Sequence, residues 1–249
     1  MHKLHMLNIE FEHQGSKQTI TPVLLAEGKD VILVDCGYPG FLPLIEQAME
    51  REGVALQSMT HLLLTHHDND HMGTAAAIKR TLPAVSVLAH EIEAPYIEGK
   101  RKSARLEQAE AGLEELSGEA RAFAEGFIRM LQQVEPAQVD RTLASGEKLP
   151  WCGGIEVVHT PGHMAGHISL YLPAARTLIA GDAVVIEAGK LQIANPSFTL
   201  DLKEAVRSVR KLLSYDVDQL ICYHGGLFTG DVKSALTGLL EEYQPYAAE

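Results

Sequence analysis

Six consecutive residues, His66, His67, Asp68, Asn69, Asp70 and His71, hold three imidazoles and two carboxylates. Imidazole nitrogen and carboxylate oxygen are the donors that zinc, iron and manganese take from proteins. The run follows His61-Leu62-Leu63-Leu64-Thr65, which has the length and apolar content of a short buried strand. Beyond Thr65 an extended chain alternates sides, so His66 and Asp68 should point one way and His67 the other. Asp70 and His71 fall where a helix begins and could address a neighbouring spot. Three later places repeat the pattern of a polar group ending an apolar strand. His163 lies in HTPGHMAGH (159–167), Asp182 ends TLIAGD (177–182), and His224 follows QLICY (219–223). Such strand ends converge on one edge of an α/β fold, where sites are built. His163, Asp182 and His224 would complete two sets of three or four ligands. Glycines 162, 166, 181, 225 and 226 allow tight turns and close backbone approach beside these groups.

The elements that must position these residues alternate in kind. Residues 21–28 and 31–37 are β-type runs separated by a Gly-Lys-Asp turn. Residues 41–53 have helical spacing and end on Gly53. The strand at 61–65 leads into a helix from near His71 to before Pro83, and 85–90 is again strand-like. Residues 91–135 differ, because 105–134 is rich in Ala, Glu, Leu and Gln with apolar positions three and four apart. That spacing predicts two helices or one interrupted helix, either packed on the core or capping a cleft, with Tyr96, Phe123, Phe127 and Met130 as candidate lining of an apolar pocket. The second half returns to strands at 155–160, 167–173, 177–182 and 219–226, an amphipathic helix at 201–216 and a C-terminal helix. The similar order of the halves suggests a weak internal duplication, although no repeat is visible in the letters. No linker or low-complexity segment interrupts residues 1–249, which are expected to form one domain.

Composition narrows the function classes. The chain has 249 residues, 46% hydrophobic and 22% charged, as in ordinary globular proteins. A net charge of −12 argues against a nucleic-acid partner and, more weakly, against an anionic membrane surface. Cys36, Cys152 and Cys222 are odd in number and far apart, which fits small buried residues rather than a disulfide framework. The N-terminus has no apolar signal region, and no stretch approaches the roughly 18 apolar residues of a membrane span. A cytoplasmic protein acting on a small molecule is the expectation; oligomeric state is not legible.

The order HxxxDH, TPGH, GD, HGG, read from VDCG at 34–37 to HGG at 224–226, resembles the metallo-β-lactamase superfamily. The resemblance covers nearly the whole chain and implies a four-layer αββα sandwich with a helical insertion around 91–135. It assigns one metal to His66, Asp68 and His163, and a second to Asp70, His71 and His224, with Asp182 bridging. Asp35, Thr65, Thr160 and His167 match residues that support such a site, with turn or cap chemistry as the plainer role. His67 and His159 are expected to be structural, as are His2, His5, His13 and His61, which have no motif around them. Tyr223 alternates away from the ligand side and is expected to be packed.

The sequence departs from the family signature THxHxDH at Asp68, where the second histidine would stand. A carboxylate still binds metal but changes the charge. Two divalent ions bring four positive charges; three aspartates and a bridging hydroxide bring four negative. The centre is then neutral, a weaker Lewis acid, and less selective for zinc over manganese or iron. A family branch with a carboxylate here, the flavodiiron proteins, does redox chemistry, but residues 1–249 show no flavin-binding domain. What the resemblance implies is therefore hydrolysis. A hydroxide bridging two metals, zinc first among the candidates, would attack the carbonyl of a carboxylic ester or lactone. Asp70 could hand a proton to the leaving group, and Asp182 would hold both ions. An acyl-thioester hydrolase and a non-catalytic metal-binding module are the alternatives.

Overall fold

The computed structural model describes residues 3–13 and 15–244; His2 and the side chain of His13 lie outside the described residues. The first half runs β1 (Lys3–Met6), β2 (Ile9–His13), β3 (Ser16–Ile20), β4 (Val23–Glu27), β5 (Asp30–Val34), α1 (Leu42–Arg51), β6 (His61–Leu64), α2 (Asn69–Met72), α3 (Ala75–Thr81), β7 (Ser86–His90), α4 (Ala94–Ile97), α5 (Ala104–Gly112), α6 (Gly118–Leu131) and β8 (Arg141–Leu143). The second half runs β9 (Lys148–Leu149), β10 (Ile155–His159), β11 (Ile168–Leu172), β12 (Thr177–Ile179), β13 (Val185–Glu187), β14 (Lys190–Gln192), α7 (Leu202–Leu212), β15 (Gln219–Cys222), β16 (Gly226–Phe228) and α8 (Val232–Glu242). Each half builds one six-stranded sheet, in the orders β1-β4-β5-β6-β7-β8 and β16-β15-β12-β11-β10-β9. The first is parallel from β5 to β8, and the second has one parallel pair, β12 with β15.

Side-chain alternation along the strands creates the layers. In β6, Leu62 and Leu64 join an outer core that includes Ile45, Ala48 and Met49 of α1, while Leu63 faces inward. In β5, Val31 and Leu33 go outward, and Ile32 and Val34 inward. The inward residues meet Ile155, Val157, Leu170, Ile179 and Ile221 of the second sheet. Val158, Leu220 and Cys222 face the other way, onto α7 and α8 through Val206, Val209, Leu212, Leu236 and Leu239. The result is the αββα sandwich expected from the sequence. The three cysteines are free and buried, as expected.

Several elements differ from the sequence expectation. The helix expected from His71 to Pro83 is two short helices. The His71 carbonyl accepts from Cys36 N–H at 2.7 Å instead of continuing the helical ladder, and Gly73 follows. Strands β1 to β3, β8, β9, β13 and β14 were not anticipated, and the single strand expected over 219–226 is β15 turning back into the antiparallel β16. Most of the unanticipated strands are too short to show a period and β3 is mostly exposed and polar, but β2, Ile9-Glu10-Phe11-Glu12-His13, does alternate and was overlooked. The 105–134 segment resolves into α5 and α6. Among the described residues no helix is long and apolar enough to cross a membrane.

Candidate metal centre

The loop after β6 begins extended, and His66 and Asp68 do point the same way, with His66 Nε2 3.5 Å from Asp68 Oδ2. The loop after β10 brings His163 Nε2 to 3.0 Å from that same Oδ2. The turns after β12 and β15 deliver Asp182 and His224. Asp182 Oδ2 lies 3.6 Å from Nε2 of both His163 and His224, and its Oδ1 is 3.4 Å from His71 Nε2. Asp70 Oδ2 is 3.1 Å from His224 Nε2 and 3.7 Å from His71 Nε2. All seven residues singled out in the sequence therefore gather in one cluster. Within it, His66, Asp68 and His163 form one triad that could hold an ion, and Asp70, His71 and His224 another; His66, His71 and Asp182 lie close enough to link them.

The supporting hydrogen bonds fix which nitrogen His66 and His71 present. Asp35 accepts from Thr65 N–H at 2.8 Å and Thr65 Oγ1 at 2.7 Å, and its Oδ2 lies 2.9 Å from His71 Nδ1. With Thr65 Oγ1 donating to Asp35, His66 Nδ1–H is left to donate to that hydroxyl at 3.0 Å. His66 Nε2 then carries a bare lone pair aimed into the cluster, and His71, held through Nδ1 by Asp35, aims its Nε2 into the cluster as well. Both atoms are buried without a hydrogen-bond partner, as is Asp182 Oδ1. Such orphaned polar atoms need an explanation, and a cation among them supplies one. The residues present fit a divalent ion.

The electrostatics differ from ligand to ligand. Burial, then the neighbouring His71, holds His66 well below the usual histidine range, so it is neutral and able to ligate. Burial opposes charge on His71, but Asp182, Asp70 and Asp35 outweigh it and raise its pKa, so without an ion this ring holds a proton that a bound cation would displace. Burial likewise disfavours charge on Asp182, yet His71 and His224 hold its carboxyl well below the ordinary range. His167 is pushed down to about 3 by burial and by His163. Its neutral ring spans Thr160 Oγ1, at 2.9 Å from Nδ1, and the Asp182 N–H, which donates to Nε2 at 2.9 Å. His167 therefore orients Asp182 and has no nitrogen left for a metal. Asp35, Thr65, Thr160 and His167 all stand in the supporting positions the sequence suggested.

Two glycines permit this approach. Gly162, at φ +134, lies so close to α7 that a Cβ would fall 2.2 Å from Ala205 N. Gly181, at φ +56, leaves room for His167 Nε2. Residues leading into α7 also clasp the His163 loop, with Leu200 N–H donating to the His163 carbonyl and Asp201 N–H to the Gly162 carbonyl.

His67 points away, as expected. Its backbone N–H and Nδ1 both contact Glu93 Oε2, it stacks on Tyr96, and its Nε2 accepts from Ala104 N–H at 3.2 Å. Glu93 also accepts from Gly166 N–H at 2.7 Å, joining the two ligand-bearing loops. Tyr223 is packed: its hydroxyl donates to the Asp70 carbonyl at 2.6 Å and accepts from Gly37 N–H at 3.2 Å. His159 stacks on His90, His61 packs tilted against Trp151, and His5 pairs with Glu52.

Arg105 is the residue that sequence reasoning missed. It stands in the first turn of α5, buried, with Nε 3.1 Å from Asp68 Oδ1 and Nη2 2.7 Å from Oδ2. Burial works against charge on Asp68, but Arg105, then His163 and His66, hold its carboxyl well below the usual range. The neutral centre expected from three aspartates is therefore corrected: the guanidinium offsets the charge that Asp68 adds. A helical arginine 37 residues downstream has no motif to mark it. The available signal was Asp68 itself, since a buried extra carboxylate demands a cation.

The cluster opens into a cleft of about 370 Å³. Phe123, Phe127 and Met130 of α6, with Phe198, Val185 and Ala194, form its apolar wall, while Gln18 and Asn195 add polar groups. The helical insertion thus caps the cleft. Tyr96, also a candidate for this wall, instead packs against His67.

Residues 19–224 match the family model of the metallo-beta-lactamase superfamily. The chain is 30% identical over 231 residues to the probable metallo-hydrolase YflN of Bacillus subtilis (strain 168), covering 87% of this chain and 83% of that protein. It is 26% identical over 141 residues to the hydroxyacylglutathione hydrolase of Rhizobium meliloti (strain 1021), which is 56% of this chain and 38% of that enzyme. The metallo-beta-lactamase family protein TTHA1429 from Thermus thermophilus superposes with a TM-score of 0.75 at 25% identity, over 97% of this chain and 79% of that one. With the family's motifs present in order and their side chains gathered in one cluster, the chain belongs to the metallo-beta-lactamase superfamily and is a metal-dependent hydrolase.

Proposed function

We propose that the protein hydrolyses a carboxylic ester or lactone of a small molecule at a centre of two divalent ions, zinc being the leading candidate and manganese or iron the alternatives. The observation that carries this is the set of orphaned, inward-aimed polar atoms on His66, His71 and Asp182 at the floor of a largely apolar cleft. His66, Asp68 and His163 would hold one ion, Asp70, His71 and His224 the other, with Asp182 between them. Divalent ions there would acidify a water and polarise a carbonyl.

The chain's own residues do the rest. Asp35 and Thr65 lock the tautomers of His71 and His66, and His167 fixes Asp182. The Asp70 side chain, 14% exposed against 7% for Asp68 and Asp182, is the most open of the three carboxylates. Facing the cleft beside His224, Asp70 would take the proton that the attacking water gives up and pass it to the leaving group. The phenylalanines of α6 and Phe198 would exclude water and receive an apolar substituent.

Acyl-thioester hydrolysis is the second reading, favoured by the hydroxyacylglutathione hydrolases among the relatives. One panel separates the two: p-nitrophenyl esters, lactones and acyl thioesters, each with and without chelator. Chelator-sensitive turnover of esters or lactones above thioesters is the expected result. Preference for thioesters would shift the assignment, and no chelator-sensitive turnover of any would favour a non-catalytic metal-binding module.

A further inference from the structure

Among the described residues, Asp68 is the one carboxylate of the cluster bound by a guanidinium. Arg105 takes both of its oxygens, and Nη2 also lies 3.5 Å from His163 Nε2. Side-chain exposure is 3% for Arg105 and 7% for Asp68, so little water screens the pair. The cation is firmly held. Arg105 Nη1 donates to Gln108 Oε1 at 2.6 Å, and the guanidinium lies 5.3 Å from the centre of the Phe198 ring. The start of α5 is anchored by the bond from Ala104 N–H to His67 and by Ser103, which caps Leu106 N–H at 3.4 Å. Among the described residues, the contacts of Asp70, His71, His224 and Asp182 with one another include no lysine or arginine.

The two triads therefore present different faces to a cation. At His66, Asp68 and His163, an incoming divalent ion must share Asp68 with a fork that already occupies both oxygens, and it meets a positive charge beside His163. Arginine cannot relieve this by losing its proton. At Asp70, His71 and His224 the ion meets carboxylates with no such competitor.

We propose that Arg105 makes the two metal positions unequal: the Asp70–His71–His224 position fills first, the His66–Asp68–His163 position second and more weakly, and the Arg105–Asp68 pair sets the difference. The inference rests on reading the cluster as a metal centre. Arg105 acts through Asp68 and is a positioning residue.

The test is a titration of the metal-free full chain with zinc against a chromophoric chelator, repeated with cobalt to follow its visible absorption. The wild type should show two events separated by roughly tenfold or more in affinity. Arg105→Gln should tighten the weaker event by roughly tenfold and leave the tighter one within about threefold, because only the nearer position loses the competing charge. Gln108→Ala, which loosens Arg105 without removing it, should narrow the gap in the same direction and covers the case in which Arg105→Gln fails to fold. His224→Ala should abolish the tighter event, and His163→Ala the weaker. Two equal events in the wild type would overturn the proposal. So would a folded Arg105→Gln protein whose gap is unchanged or wider. Absence of any metal binding by the wild type is a distinct result, and it would overturn the metal-centre reading itself.

Discussion

Asp68 and Arg105 show what a residue-by-residue reading reaches and where it stops. The seven donors were legible because their types and strand-end positions are local facts, and the family's motif order joined them. The Asp68 substitution was equally visible, but its partner was not. Arg105 sits among Ala, Glu and Leu on a helix, and only tertiary contact separates it from a solvated surface arginine. Asp35 makes the complementary case. It is a buried, non-glycine residue at φ 61, an uncommon conformation for a side chain, and it holds both Thr65 and His71. Replacing it leaves Thr65 N–H and His71 Nδ1 without their acceptor. Asp35→Ala should cost about 3 kcal/mol of stability and lower metal affinity by roughly 10- to 100-fold. Thermal unfolding and a metal titration would measure these. Affinity equal to the wild type would show that Asp35 serves the turn and not the site.

At the scale of elements, strands buried on both faces and long amphipathic helices were readable, whereas short edge strands were not. A three-residue strand such as β13 or β14 shows too few residues to display a period of two. The break between α2 and α3 also escaped, because it depends on the bond from Cys36 N–H to the His71 carbonyl, a contact between residues far apart in the chain. The glycines offer a test of how tightly elements fix the site. Gly162 and Gly28 both have positive φ, but a Cβ at Gly162 meets the α7 backbone while one at Gly28 meets nothing within 4 Å. Gly28→Ala should cost about 1 kcal/mol, the strain of the left-handed conformation alone. Gly162→Ala adds the clash with Ala205, should cost about 2–4 kcal/mol, and should weaken metal binding by displacing His163. Denaturant unfolding of both variants decides this. Equal costs would mean that α7 shifts freely and does not hold the His163 loop.

For the whole molecule, the αββα arrangement followed from strands whose residues alternate between two apolar cores, and from a chain in which each half supplies a sheet and its covering helices. The helical insertion was visible as a change of composition. Its place over the cleft was not, because helices of that composition pack on cores as readily as they cover openings. Its side chains make the cleft wall apolar and, through Arg105, reach the floor. The account of the whole protein rests on one dependence, that turnover follows metal held by this cluster. It is tested by measuring metal content and turnover together on the wild type and on Asp182→Ala, as isolated, after chelation, and after zinc, manganese or iron is restored. Wild-type turnover should fall with its metal and return with it, while a folded Asp182→Ala protein should lack both. Full turnover by metal-stripped wild type would contradict the account.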